Sequence, residues 1–213
     1  MPTPGFPPHT LDSEGLPVWI SALAAEDPHH ALHVVRGLEP AEALEMLGAK
    51  PRLFQARELP AEPREWSVLP EPAPGLEPGA GATLLAGRVG AWTFVYDGAG
   101  FTDRDATAEL SADGRTAAVS MFSINADASL TYAVDGAEVT TVDVDDLDPA
   151  QDVPGLPDEL RAAFEAAGVV EHDYLDPGDP DYDICMRAVC ALAGLFLTVE
   201  ELRQVPLLVT PFG

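Results

Sequence analysis

Positive charge is what this sequence has least of. Its 213 residues hold 11 lysines and arginines, a single one of them lysine (Lys50), against 36 aspartates and glutamates, for a formal net charge of −25. Binding to nucleic-acid phosphates or to an anionic membrane surface needs clustered Lys and Arg, so the deficit argues against both. The favoured partners are cationic: a basic protein face, a metal ion or dissolved counter-ions. Cysteine is nearly as scarce. Cys185 and Cys190 are five residues apart, off a common helix face, and match no CxxC redox pair and no zinc spacing. Both read as reduced core or boundary thiols. The longest apolar run, Ala188 to Val199, is about two-thirds of what a bilayer crossing needs and abuts Arg187, which suits a buried helix. The segment Met1–Gly15 lacks a basic n-region and carries Pro2, Pro4, Pro7 and Pro8, unlike a secretory or transit peptide, so a cytoplasmic protein is expected.

Catalytic signatures are missing too. No Gly-x-Ser-x-Gly elbow occurs, and Ser120 and Ser123 fall within a predicted strand. Gly79-Ala80-Gly81 with Gly87 leads into a strand instead of out of one into a helix, and no Lys-Ser/Thr follows, so it is a linker end and not a nucleotide loop.

What is present is a core. Hydrophobic residues make up 46% of the chain, enough to offset the entropy of ordering it. Residues 1–16 read as a flexible N-terminus and 17–213 as a single α+β domain with a Pro/Gly-rich loop at 58–82, pinned by Trp66. Val18 to Ala24 suggests a docking helix. His30 to Leu38 suits a strand through Leu32, Val34 and Val35, although Asp27-Pro28 could open a helix there. Pro40 to Leu47, with Pro at the first helical position and Gly48 past the end, is a short helix.

From residue 84 to 144, alternation and turn dipeptides agree on a β-meander. Its strands are Leu84–Val89, Ala91–Tyr96, Thr116–Ile124, one through Leu130, Tyr132 and Val134, and Val139–Val144, with Ala108–Ser111 leading into Asp113-Gly114 ahead of the third. Trp92, Phe94 and Tyr96 share a face, with Val95 on the other. Asp97-Gly98 ends the second strand, and Asp113-Gly114 and Asp135-Gly136 supply the positive φ that tight hairpin turns need. Beyond an acidic stretch, Pro157–Ala167 closes with Gly168 as an amphipathic helix, and Asp183–Leu197 is a second, more buried one. Thr198-Val199-Glu200-Glu201 is a capping box, and Val205–Phe212 an apolar tail suited to an edge strand. The architecture expected is a mostly antiparallel sheet of five to six strands with helices packed on one face.

The run Phe122-Ser123-Ile124-Asn125-Ala126-Asp127, followed by Tyr132-Ala133 and Asp135-Gly136, resembles the core of an uncharacterised actinobacterial domain-of-unknown-function family. Val35-Arg36-Gly37-Leu38, Pro40, Leu47-Gly48 and Leu197-Thr198 are similar to further elements of that family, so the resemblance spans most of residues 30–203. It implies a strand at His30–Val35 and carries over no catalytic residue.

The candidate site is acidic. Residues 141–183 hold fourteen acidic side chains against Arg161, half of the chain's net charge. Asp143, Asp145, Asp146, Asp148 and Asp152 form one group, and Asp173, Asp176, Asp179, Asp181 and Asp183 a second. Asp179, Asp181 and Asp183 begin an EF-hand-like spacing, but Ile184 stands where its glycine belongs and Cys190 where its glutamate belongs, which excludes that loop. An irregular divalent site and a plain solvated loop, turned at Asp176-Pro177-Gly178, are the readings left. His29, His30 and His33 would suit a metal on a helix; on a strand His29 and His33 stand about 13 Å apart. His172 beside Asp173 reads as a solvated side chain, and Asn125 and Asp127 as turn formers.

Two functions follow as expectations. The first is a non-enzymatic binding or regulatory protein, of the inhibitor or immunity kind, that docks a basic protein partner through Asp143, Asp145, Asp146, Asp148, Asp173, Asp176, Asp179 and Asp181. The second is an enzyme or metal-dependent protein with a site assembled from scattered acidic residues. No cofactor is expected.

Overall fold

The computed structural model describes residues 4–24, 29–59, 82–123, 125, 127–171, 176 and 179–213. Among these, one antiparallel sheet of eight strands carries an α+β fold: β1 (His30–Arg36), β2 (Gln55–Arg57), β3 (Ala82–Val89), β4 (Trp92–Asp97), β5 (Thr116–Phe122), β6 (Ala128–Val134), β7 (Ala137–Asp143) and β8 (Leu207–Phe212). Their spatial order is β2-β8-β3-β4-β1-β5-β6-β7. Six helices accompany them: α1 (Val18–Leu23), α2 (Pro40–Met46), α3 (Ala106–Ser111), α4 (Asp158–Ala167), α5 (Ile184–Ala193) and α6 (Val199–Gln204). Within the Pro/Gly-rich stretch, residues 60–81 with Trp66 lie outside the described residues, as do Asp27-Pro28, Ile124, Ala126, His172, Asp173 and Pro177-Gly178.

Several expectations are corrected. The sheet has eight strands, not five or six, because the apolar tail becomes β8 and draws the three-residue β2 onto its outer side. The tail is therefore interior, paired with β2 at Ala56↔Leu208 and with β3 at Leu85↔Val209. Helices cover both faces, not one. The first face carries Leu32, Val34, Phe94, Tyr96, Leu130 and Val142 under α1, α4, α5 and α6, while the second carries Val35, Val95, Leu84 and Ala117 under α2 and α3. The cause lies in β1 and β4, which are buried along almost their whole length and so present apolar carbon to both sides. Ala108–Ser111, which leads into Asp113-Gly114, is the end of α3, where Ala106, Ala108, Glu109 and Leu110 are strong helix formers.

Residues 4–16 are packed, where a flexible N-terminus is the expectation for residues 1–16. Gly5 N–H donates to Ala166 O at 2.6 Å, the Phe6 and Phe196 rings meet edge to face at 4.8 Å, and Asp12 accepts from the backbone of Glu14 and Leu16 at 2.9 Å. It leads into α1, whose Trp19 and Ile20 are wholly buried.

Local rules account for the other elements. A capping box closes α2 between Glu39 and Glu42 and another closes α6 between Thr198 and Glu201. Gly194, in the left-handed region, ends α5 four residues before the expected Leu197. Gly87 permits β3 and β4 to pair where they do, since a Cβ there would lie 2.7 Å from Phe94 and 2.8 Å from Leu207. Asp135 and Gly136, both at positive φ, turn β6 into β7. Asp113-Gly114 has the same geometry but joins α3 to β5, and the two turns are stapled: Gly114 N–H donates to Asp135 at 2.8 Å and Gly136 N–H to Ser111 Oγ at 3.0 Å.

Candidate functional site

The exposed acidic residues come together from distant parts of the chain. Asp143 ends β7, and Asp145, Asp146 and Asp148 follow it on the surface; Asp176 and Asp179 are exposed ahead of α5. Tyr182 joins the two groups. Burial raises its pKa first, and the charges of Asp145 and Asp179 and a hydrogen bond to Asp145 raise it further. Asp143 likewise acts on Cys185 in the first turn of α5, whose thiol is pushed up mainly by burial. Residues 34 positions apart in sequence thus share one rim round the start of α5. Arg161, the one base in residues 141–183, is occupied by Asp158 at 2.7 Å and Glu165 at 3.9 Å.

Much of this acidity also shapes its own loops. Asp143 accepts from Asp145 N at 3.1 Å, Asp152 from Asp148 N at 2.7 Å, Asp148 from Ala150 N at 3.0 Å and Asp179 from Asp176 N at 2.9 Å. These are side-chain turns of the kind aspartate forms readily. Among the described residues no three His, Cys, Asp or Glu side chains are placed to hold a metal ion.

Asp181 stands apart from the rim. It is buried against the fully buried Arg187, to which it is ion-paired, and it also accepts from Val170 N at 2.7 Å. The guanidinium further donates to Ala167 O at 3.0 Å, Gly168 O at 3.1 Å and Gly15 O at 3.3 Å. One planar fork therefore fastens the end of α4, the N-terminal segment and the loop before α5. Its signal in the sequence is a lone Arg at the head of an apolar run.

Two further polar sites, both at the end of the sheet where β1 begins and β4 ends, are missed by motif reasoning. On the second face, buried Asp97 accepts from Ala99 N at 3.0 Å, from Thr102 N at 2.7 Å and from the Thr102 hydroxyl at 2.9 Å. That hydroxyl lies 2.9 Å from His33 Nε2. Having given its one proton to Asp97, Thr102 accepts from His33, which fixes the Nε2–H tautomer. The chain of hydrogen bonds thus runs from His33 to Thr102 to Asp97, the reverse of what a base activating a nucleophile requires. It positions the 98–102 loop. Burial lowers the His33 pKa to about 4, with Asp103 pulling the other way.

On the first face, His30 Nδ1 and Nε2, Tyr96 OH and Trp19 Nε1 are buried with no hydrogen-bond partner among the described residues. The Tyr96 ring is 6.1 Å from both His30 and Trp19, with Phe94 at 5.5 Å from Trp19 and Phe122 at 5.6 Å from His30. Burial lowers the His30 pKa to about 4 and pushes the Tyr96 phenol well above its ordinary range, with Asp97 adding to the latter. Leaving a buried polar group unpaired costs about 1–3 kcal/mol, so several together weigh heavily against a typical total of about 5–15 kcal/mol. Sequence pattern placed His30 on a strand but could not show which rings it would meet.

At the far end of the same face, Arg36 stacks 4.6 Å over the Trp92 ring and is ion-paired with Glu159 on α4, which accepts from Tyr132 OH at 3.4 Å. The pair is two-fifths exposed and adds little stability. Among the described residues no helix is long and apolar enough to cross a membrane.

Neither the comparison with curated proteins nor that with solved structures finds a match. Residues 18–202 match the model of a family of unknown function, a span running from α1 through the Arg36-Gly37-Leu38 element and the whole β5–β7 meander to α6. The chain belongs to that family, DUF6461.

Proposed function

We propose that this protein is a non-enzymatic binding or regulatory protein that docks a basic protein partner through the acidic rim at Asp143, Asp145, Asp146, Asp148, Asp176 and Asp179. The observation that carries the reading is the approach of Asp145 and Asp179 to Tyr182, which merges two acidic segments into one surface. Asp181 leaves the set, because its carboxylate is committed to Arg187. The rim borders β7, a strand unpaired on its outer side among the described residues and exposed along most of its length, so a partner there meets charge and free backbone together.

Such a surface acts mainly on encounter: clustered charge of one sign raises association rates, and salt screens it. The test is affinity capture from a lysate of the source organism at low salt and at about 1 M, followed by binding kinetics with the captured protein. Replacing Asp145, Asp146, Asp148 and Asp179 together by Asn is expected to slow association at least about tenfold at low salt, with little change in dissociation. An association rate unmoved by the substitutions sinks the reading.

A further inference from the structure

We propose that the partner is held by strand addition: an extended segment with Lys or Arg at alternate positions pairs antiparallel with β7 through the backbone of Thr141 and Asp143. The inference rests on the docking reading above and names the kind of segment that surface takes.

The backbone supplies the ladder. β7 is seven residues long and pairs with β6 alone among the described residues, whereas the opposite edge of the sheet, β2, offers only Gln55–Arg57. Val144 N–H donates to Ala128 O at 2.9 Å, and bonded and unbonded pairs alternate along antiparallel strands. Val142 and Thr140 therefore turn their peptide groups towards β6. Thr141 and Asp143 turn theirs outward, where an added strand can bond them. The Thr131 and Thr141 hydroxyls, 3.0 Å apart, agree with that phase, since side chains approach most closely in the unbonded pairs.

The side chains choose the occupant. A bulge at Val139 brings Glu138 onto the face of Thr141, whose hydroxyl donates to it at 3.1 Å, so Glu138, Thr141 and Asp143 share one face. The bulge also leaves Val139 48% exposed, an apolar contact beside the charges. Opposite charges directly across a strand pair stabilise it and like charges oppose it, so Glu138 and Asp143 favour Lys or Arg on the incoming strand. They also turn away a second copy of this chain: β7 against β7 would set acid against acid between two molecules of charge −25 each. Bulges and charges guard sheet edges against indiscriminate pairing. Here the guard has one sign, so it rejects the protein's own copies and admits a basic strand.

The experiment uses the full chain at low salt with a synthetic peptide of about nine residues, Lys alternating with Val and Thr, and reads amide hydrogen exchange by NMR. The control peptide is N-methylated at its lysines, whose N–H groups face β7 in this register, so it keeps the charge and loses the donors. Saturating peptide is expected to slow exchange at Thr141 and Asp143 at least about tenfold and to leave Val142 little changed. N-methylation is expected to weaken binding at least about tenfold, and so is Thr141→Pro, which removes an outward N–H and no bond to β6. Equal binding by the two peptides, or no added protection at Thr141 and Asp143, overturns the inference. So does protection of those amides that grows with protein concentration in the absence of peptide, which would assign the edge to a second copy. The docking reading fails separately: its test is the association rate of the captured partner. A rate slowed by the rim substitutions while the two peptides bind alike removes strand addition and leaves the rim. Protection at Thr141 and Asp143 with an unmoved rate removes the rim and leaves strand addition.

Discussion

On one face of β1, His33 ends a chain of hydrogen bonds through Thr102 to Asp97; on the other face His30, three residues earlier, has both ring nitrogens buried and unpaired. The same strand, at the same end of the sheet, thus buries one imidazole inside a polar network and another among aromatic rings. The difference teaches what each can do. A bonded nitrogen such as His33 Nε2 is committed to the loop it orders, whereas the unbonded ones, both of His30 and Nδ1 of His33, carry the cost of burial without a protein partner among the described residues.

Acid tests both sides together and gives the largest effect. Each histidine titrates near 4 when folded and near 6.5 when unfolded. Between those values the unfolded chain binds more protons, so the contribution is full above about pH 6.5 and is lost as pH falls towards 4. A shift of this size is on the order of 3 kcal/mol for each histidine, or about 6 for both. Urea unfolding across that window should show the decline, with His30→Leu removing about half of it. A midpoint unchanged between pH 6.5 and 5 would show that neither imidazole is held neutral by burial.

How much of this was legible in the sequence depends on the range of the interaction. The strand at His30, the hairpin at Asp135-Gly136 and helices α2, α4 and α6 follow from signals within about ten residues: alternation, a positive-φ turn pair, Pro at a helix start and a capping box. What failed was set by distant partners. The tail Val205–Phe212 suits an edge strand until β2, some 150 residues earlier, pairs with its outer side. Helices on the second face were hidden because His33, Thr93 and Asp97 make that side of β1 and β4 read as polar, although all three are buried. In the acidic site the composition was plain. Neither the approach of Asp145 and Asp179 to Tyr182 nor the withdrawal of Asp181 has any local signature, since each depends on where α5 begins relative to β7 and α4.

Arg187 and Asp181 extend the comparison to a charged pair. Both are fully satisfied, and Asp181 is the single acidic residue of the candidate set whose loss should damage the fold. Asp181→Asn leaves a buried guanidinium without its counter-charge and is expected to cost about 3–5 kcal/mol in chemical denaturation, whereas Asp145→Asn, on the exposed rim, should change stability by less than about 0.5 kcal/mol. Equal effects at the two positions would remove the distinction between rim and core that the docking proposal relies on.

The sharpest contrast needs the smallest measurements. Thr102→Val preserves shape and deletes the hydroxyl that joins His33 to Asp97, so it should cost about 1–3 kcal/mol. Tyr96→Phe also deletes one buried hydroxyl and preserves shape, yet this hydroxyl has no partner among the described residues. Removing an unsatisfied group relieves a desolvation penalty, so the protein should lose less than about 0.5 kcal/mol and is expected to gain slightly. A loss of about 1 kcal/mol or more would show that water already satisfies the phenol. The two faces of β1 would then differ only in what completes the hydrogen bond, a protein side chain on one and solvent on the other.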